Sequence, residues 1–584
     1  MRILLLGSLL FLLSMGCRDS RPEFADLVLL NGNILTMDTA NARAEALAIV
    51  DDRIIFVGSN DEVAKLQDDD TRVIDLQGRF VMPGLIEGHG HFWSLAELLL
   101  NINLLQTTSW QEVIEAVEAA VAEAEPGQWV EGRGWHQEKW TDTPEPNLDG
   151  YPFHHSLSAV SPDNPVVLRH ASGHALFANE AAMKAAGISP ETADPKGGHI
   201  LRDSDGQAIG VFEETAMVYL NEALEKYKAS LSDKEEMQQW RNGIDLASQE
   251  CLRKGITSFQ DAGSTFEQID RYQRMAKKGQ LDLRLWAMVR FTSDPAKGHS
   301  YDELVKGTRG YPIMGAGNGF FTARAIKADV DGALGSFGAW LLEPYADKPD
   351  FVGQNTTELE DVEKVAELAA DRDLQLCVHA IGDRGNRETL DLYERVFREH
   401  PEQTDLRWRI EHAQHLDPAD IPRFHELGVI AAMQGIHCTS DAPFVVKRLG
   451  EERARAGAYA WRSLLDQGAV VSNGTDTPVE DVDPFACLYA SVTRRRPDSG
   501  LVFFPEQCMT RQEALYSYTM ANAYAAFEEM DKGSLEAGKY ADLVVLSNDL
   551  LTCSDEAILQ TEVLLTMVAG KVKYHQGEWN LPEE

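Results

Sequence analysis

Between residues 83 and 529 amphipathic helical stretches alternate with short apolar strands, the pattern of a parallel α/β domain. One strand leads to His89. Others cover 254–261, 321–328, 374–379, 406–411, 429–433 and 469–472, with helices such as 111–125 and 234–253 among them. That set approaches the eight strands of a (β/α)8 TIM barrel, whose chemistry sits at the C-terminal strand ends. The polar residues of this chain fall at those ends.

The stretch from Val81 runs through Pro83-Gly84 and ends in His89-Gly90-His91. Residues i and i+2 of a strand face the same way, so both imidazoles can aim into one space, with Gly90 leaving room for an ion near the backbone. Imidazole is the commonest neutral ligand for zinc and its neighbours; the alternative is a pair of surface or capping histidines. Lys327 lies inside an apolar strand, where desolvation favours the neutral amine. Such an amine can add carbon dioxide to give a carbamate, an anionic ligand able to bridge two metals. The alternative is a lysine that snorkels or pairs with Asp329 or Asp331. His379 and His412 each sit where an apolar strand turns into a polar loop, and Asp476 follows a strand directly. A capping or turn role is the alternative for Asp476. His415 reads as a residue behind the site or on the next helix.

Taken in order, HxH, lysine, histidine, histidine and aspartate on successive strand ends resemble the amidohydrolase superfamily. The closer likeness is to its amidohydrolase family 3 branch, which contains N-substituted formamide deformylase. The matching stretches are PGLIEGHGH, IKADVDGALGS, VHAIGDRG, RIEHAQH, the loop from Gly474 to Pro478, and GSLEAGKYADLVVL; GQWVEGRGW and GHALFANEAAMKAAGI are also similar to that branch. The resemblance implies two divalent ions, zinc being the expected metal, with His89 and His91 on one and His379 and His412 on the other. Carbamylated Lys327 would bridge them, and Asp476 would bind one ion and shuttle protons. It implies hydrolysis of a non-peptide C–N bond, of amide or formamide type, by a metal-activated water. A cyclic amide, an N-acyl amino acid or an ester is the alternative on the same metals; a non-catalytic, ligand-binding surface lipoprotein is the alternative of another class. Two positions depart from the branch. Asn-Gly-Thr-Asp (473–476) stands where Gly-Ser-Asp is usual, and Gly435 stands where proline is usual after the glutamine.

Both ends of the chain are β-rich, so residues 18–82 and 530–584 are expected to assemble one small β-sandwich beside a hydrolase barrel at 83–529. Residues 127–220, rich in Trp, Pro, Gly and His, interrupt the alternation and read as an α+β insertion over the barrel mouth. Trp135, Arg169 and His174 within it are candidate substrate-facing residues, with structural roles as the alternative. With 54 basic and 93 acidic residues the net charge is −39, which argues against nucleic acid or an anionic membrane surface as partner. A small-molecule substrate is expected, and a homodimer is the candidate assembly. Six widely spaced cysteines beyond Cys17 form no CxxC pair and no disulfide scaffold.

Residues 1–17 read as an export signal: Met1-Arg2, an apolar run from Ile3 to Leu13, then Ser14-Met15-Gly16-Cys17. The run is too short to span a bilayer comfortably. Cysteine after Gly16 resembles a bacterial lipobox, with Ser14 where leucine is usual. The implied protein is a lipoprotein held to a membrane through Cys17 and facing the periplasm or exterior; an ordinary signal peptide with an incidental cysteine is the alternative.

Overall fold

The computed structural model describes residues 24–104, 107–137, 140–171, 174–292, 298–577 and 579. Eight parallel strands form its central sheet: β1 (Leu85–Gly90), β2 (Ile256–Ser264), β3 (Arg284–Arg290), β4 (Phe321–Asp329), β5 (Gln375–Ala380), β6 (Arg409–His412), β7 (Ile430–Gln434) and β8 (Val471–Gly474). Each pairs with the next in sequence. The sheet closes where β8 returns to β1: the Asp476 amide donates to the His89 carbonyl at 2.7 Å, and the His91 amide to the Thr477 carbonyl at 2.8 Å. A Cβ on Gly474 would lie 2.4 Å from Glu87 Oε1 and 2.6 Å from the His89 nitrogen, so only glycine lets the last strand approach the first this closely. This is the expected (β/α)8 barrel.

Strand β3 completes the eight and was not among the strands read from the sequence. Its segment, Arg-Leu-Trp-Ala-Met-Val-Arg, begins and ends on cations that both need distant partners. Arg284 is fully buried and donates twice to Asp542, Nε to Oδ2 at 2.7 Å and Nη2 to Oδ1 at 3.0 Å. Arg290 donates to Asp329 Oδ2 at 2.7 Å.

The stretch that opens β1 belongs first to another sheet. Strand Phe80–Pro83 pairs antiparallel with Leu543–Leu546, in a six-stranded sheet that also holds Asn33–Leu35, Arg43–Ala44, Val563–Val568 and Lys571–His575. Strands Leu27–Leu30, Ala46–Val50, Arg53–Gly58 and Arg72–Asp75 form a four-stranded sheet. Leu29, Ile49 and Ile54 of the smaller sheet share one core with Val81, Leu543 and Met567 of the larger, so both chain ends contribute to one sandwich. Asn31, with φ of 57°, turns the chain between the two sheets. The Arg284–Asp542 pair ties this sandwich to the barrel. Asp542→Ala leaves a buried guanidinium unpaired, and a loss of about 3–5 kcal/mol is expected, read as a lower denaturation midpoint.

A six-stranded sheet built from Ile102–Asn103, Val130–Trp135, Val166–His170, Ala175–Ala178, Gly198–Arg202 and Ala208–Glu214 stands between β1 and β2. Helix Trp110–Glu123 packs its Val113, Ile114 and Val117 against Trp135, Leu168 and Phe177 of this unit. The inserted unit therefore begins near Ile102, upstream of the change in composition near residue 127. The chain re-enters the barrel through helix Asp233–Arg253, whose Trp240 stacks on Trp93 with ring centroids 4.0 Å apart.

Candidate metal centre

Strand ends bring five of the six sequence-predicted ligands, His91, Lys327, His379, His412 and Asp476, to the wall of one cavity of about 640 Å³. His89 lies buried beneath them, its ring centroid 4.7 Å from that of His412 and 5.8 Å from that of His91. The rings of His379 and His412 are 4.4 Å apart. Asp476 Oδ1 is 3.5 Å from His89 Nε2 and 3.3 Å from His91 Nε2. His89, His412 and Asp476 each offer one ligand atom, all within 4.8 Å of one another. His89 Nε2, His379 Nε2 and Asp476 Oδ1 are buried without a hydrogen-bond partner in the protein. Buried polar atoms are rarely left so. Converging lone pairs of nitrogen and carboxylate oxygen are the donor set of a divalent cation such as zinc.

The backbone is held out of its preferred conformations at the same place. His412, Ala413 and Asp476 have φ of 75°, 42° and 60°, in the left-handed region. Such residues cost about 1–3 kcal/mol each and persist where the surroundings enforce them, often at functional sites.

Neighbours fix the ring tautomers. His89 Nδ1 is hydrogen-bonded to Glu411 Oε2, and a carboxylate only accepts, so Nδ1 carries the hydrogen and Nε2 faces the site. His412 Nδ1 donates to Gln434 Oε1 at 2.7 Å, and Gln434 Nε2 donates to the Ala432 carbonyl at 3.0 Å, which sets that amide's orientation. Burial, then the adjacent His379 ring, holds His412 well below the usual imidazole range. His379 is pushed down to about 3 by burial and by the Lys327 ammonium. Both are therefore neutral, the form that binds metal. Burial of His89 opposes charge, yet the Glu411 carboxylate and Asp476 raise it above its ordinary value.

Lys327, 2% exposed, donates from Nζ to Asp329 Oδ1 at 3.0 Å. This is the ion pair given above as the alternative role for the lysine. Asp331, two residues on, organises the loops: Oδ1 accepts from the Ile381 amide at 2.9 Å, and Oδ2 from Trp340 at 2.9 Å and Gly382 at 2.8 Å. Burial outweighs those bonds and pushes its carboxyl up to about 7.

Gly90 does not provide space for an ion. Strand alternation turns it away from His89 and His91, and a Cβ there would meet the Phe259 ring at 2.6 Å and Thr477 at 3.0 Å. Its job is the close approach of β1 to β2 and to the loop after β8. The three candidate substrate residues lie in the inserted unit and do not line the cavity. Trp135 is fully buried in that unit's own core and donates to the Leu168 carbonyl at 2.8 Å. Arg169 donates to Asn221 Oδ1 at 3.2 Å, and His174 pairs with Glu214 on the surface. Gly435 makes sense of its departure from proline. Its amide donates to Asn473 Oδ1 at 2.9 Å, a bond proline lacks, which couples the ends of β7 and β8.

Sequence reading missed Glu411, Gln434, Gln414 and His437. Each touches the site from a strand end, a loop or, for His437, the first turn of the helix after β7, and the pairs they form are fixed only by barrel closure. His415 is buried, and burial pushes it down to about 3; it stands edge-on to Tyr459, with ring centroids 5.5 Å apart.

Comparison with known proteins agrees with this site. The model of the amidohydrolase family matches residues 72–574. The chain belongs to that family. This amidohydrolase is 33% identical over 563 residues to Protein LONG AFTER FAR-RED 3 of Arabidopsis thaliana, covering 94% of this chain and 92% of the plant protein. It is 29% identical over 565 residues to N-substituted formamide deformylase of Arthrobacter pascens, covering 95% and 99%. The crystal structure of an uncharacterised metal-dependent hydrolase from Pyrococcus furiosus superposes with a TM-score of 0.69 at 25% identity, covering 90% of this chain and all of that one. The chain is a metal-dependent hydrolase of the amidohydrolase family.

Proposed function

We propose that this amidohydrolase cleaves a non-peptide C–N bond in a small amide or formamide, releasing an amine and a carboxylate. The observation that carries the reading is the convergence of unpartnered His89 Nε2, His379 Nε2 and Asp476 Oδ1 beside Lys327 at one barrel mouth. His89 and His91 would hold one divalent ion and His379 and His412 the other, with Lys327 between them. Bound there, two such ions lower the pKa of water and polarise a carbonyl. Asp476 then takes a proton from water and returns it to the departing nitrogen. Lys327 would reach that role by losing one proton as it leaves Asp329 as an amine and a second on adding carbon dioxide; Arg290 remains as the partner of Asp329. The cavity suits a small molecule.

A panel of formamides, N-acyl amino acids, lactams and esters tests the bond, and turnover confined to esters would overturn the C–N assignment. Close to two divalent ions per chain are expected. His379→Ala should lower both metal content and rate, and full activity after exhaustive chelation would refute the metal role.

Location is proposed from the sequence alone, because Cys17 lies outside the described residues. The mature chain begins at a lipid-bearing Cys17 that holds it to a membrane; no helix among the described residues is long and apolar enough to cross one. Cys17→Ser should move the protein from the membrane to the soluble fraction of the periplasm or medium. A wild type that fractionates as soluble would overturn the anchor.

A further inference from the structure

The ring nitrogens around the cavity are set in two opposite ways. His89 and His412 each have an acceptor on Nδ1, namely Glu411 Oε2 and Gln434 Oε1, and so present an Nε2 lone pair. His437 has a donor there: Gln414 Nε2 lies 3.0 Å from its Nδ1. Nδ1 must accept, so the hydrogen of the neutral ring sits on Nε2. That nitrogen is buried without a hydrogen-bond partner on a residue only 7% exposed, and the residue lines the cavity. It stands 3.8 Å from Asp476 Oδ2, beyond hydrogen-bond reach. The ring centroid is 6.1 Å from that of His412. Helix Gly435–Leu449 begins immediately after β7 and places the ring there.

We propose that His437 is the substrate-facing hydrogen-bond donor of this site, its Nε2–H directed at the acyl oxygen of the bond being cleaved, and that Gln414 is the positioning residue that fixes its tautomer. The inference rests on the hydrolase reading above and covers amides and esters alike. A nitrogen that carries hydrogen has no lone pair for a metal, which separates His437 from the ligand histidines despite its place among them. Charge that develops on the acyl oxygen near Asp476 falls within reach of this donor. Fixed donors of this kind act mainly on the transition state. The same arrangement gives the RIEHAQH stretch a division of labour: Glu411 orients a ligand, His412 is one, and Gln414 orients a donor.

The test uses zinc-loaded protein and three readouts: zinc content, kcat on whichever acyl substrate the wild type turns over fastest, and affinity for methylphosphonate, a tetrahedral anion, by calorimetry. His437→Asn should keep wild-type zinc and lose about 10²–10³-fold in kcat, as for removal of one oxyanion donor. Methylphosphonate affinity should fall with it. Gln414→Glu is isosteric and places an acceptor on Nδ1; assayed at a pH high enough to keep the ring neutral, it moves the hydrogen off Nε2. It should keep zinc and reproduce both losses, which a merely structural glutamine would not do. Loss of zinc from His437→Asn would make His437 a ligand and overturn the proposal. Lost kcat with unchanged methylphosphonate affinity would assign the N–H to Asp476 and overturn it as well, as would a Gln414→Glu enzyme with wild-type kcat. Turnover of esters alone by the wild type would remove the C–N reading and leave this inference standing.

Discussion

Lys327→Arg is expected to leave a folded protein with little bound metal and no measurable activity. The two roles open to Lys327 diverge most at this substitution. Its ammonium pairs with Asp329 at 3.0 Å, beside Arg290. If that ion pair were its working state, arginine would preserve the charge, keep the partner and retain much of the rate. If Lys327 works as a carbamate, it supplies negative oxygen between two cations, and arginine would place a third positive charge there. At an illustrative ~4 Å and an effective dielectric of ~20, each such repulsion is on the order of 4 kcal/mol. Two of them largely empty the site. Lys327→Ala should also be inactive but opens a vacancy lined by the same histidines, which acetate or another short acid can enter. Metal binding and rate partly restored by such acids in Lys327→Ala, with no rescue in Lys327→Arg, is the expected pattern. An active Lys327→Arg enzyme holding two metals would rule the carbamate out.

The residues that converge at the cavity were legible in the sequence because they lie at or near strand ends that occur in a recognisable order. What supports them was not. Glu411 is adjacent to His412 in sequence, yet it serves His89, 322 positions away, across the closed barrel. Nothing local announces that pairing. Strand β3 was hidden by the cations at its ends, which look like surface until Asp542 and Asp329 are seen beside them. Helix Trp110–Glu123 has a clear apolar face, but periodicity does not say which core that face meets; it meets Trp135 and Phe177 of the inserted unit. Trp135 drew notice as an aromatic in a matching motif, and packing explains it. Gly90 was assigned space on the side of the strand opposite to the one it opens.

Glu411→Gln is expected to fold poorly and to bind metal about 10–100-fold more weakly, the usual effect of removing a carboxylate behind a ligand histidine. Glu411 is fully buried and has two partners. Arg409 Nε lies 2.7 Å from Oε1, and His89 Nδ1 is bonded to Oε2. Burial alone would favour the acid form, but Arg409 first and then His89 hold the carboxyl down at about 2. It is therefore ionised at neutral pH. Glutamine keeps the shape and loses the charge, leaving the buried Arg409 guanidinium without a counter-ion, which costs about 3–5 kcal/mol. Stability and metal affinity thus fall together in the single variant, and a second variant separates them. Arg409→Met combined with Glu411→Leu removes the whole pair, and apolar replacement of a buried ion pair is often neutral or better. Arg409 also donates to the Gly88 carbonyl at 2.8 Å, so recovery of stability should be substantial and short of complete. Metal affinity should not recover, because His89 Nδ1 still has no acceptor to hold its ring. A double variant that regains the denaturation midpoint and still binds zinc weakly would show that Glu411 acts on the metal through His89. Wild-type zinc affinity in that variant would show that Glu411 serves only Arg409.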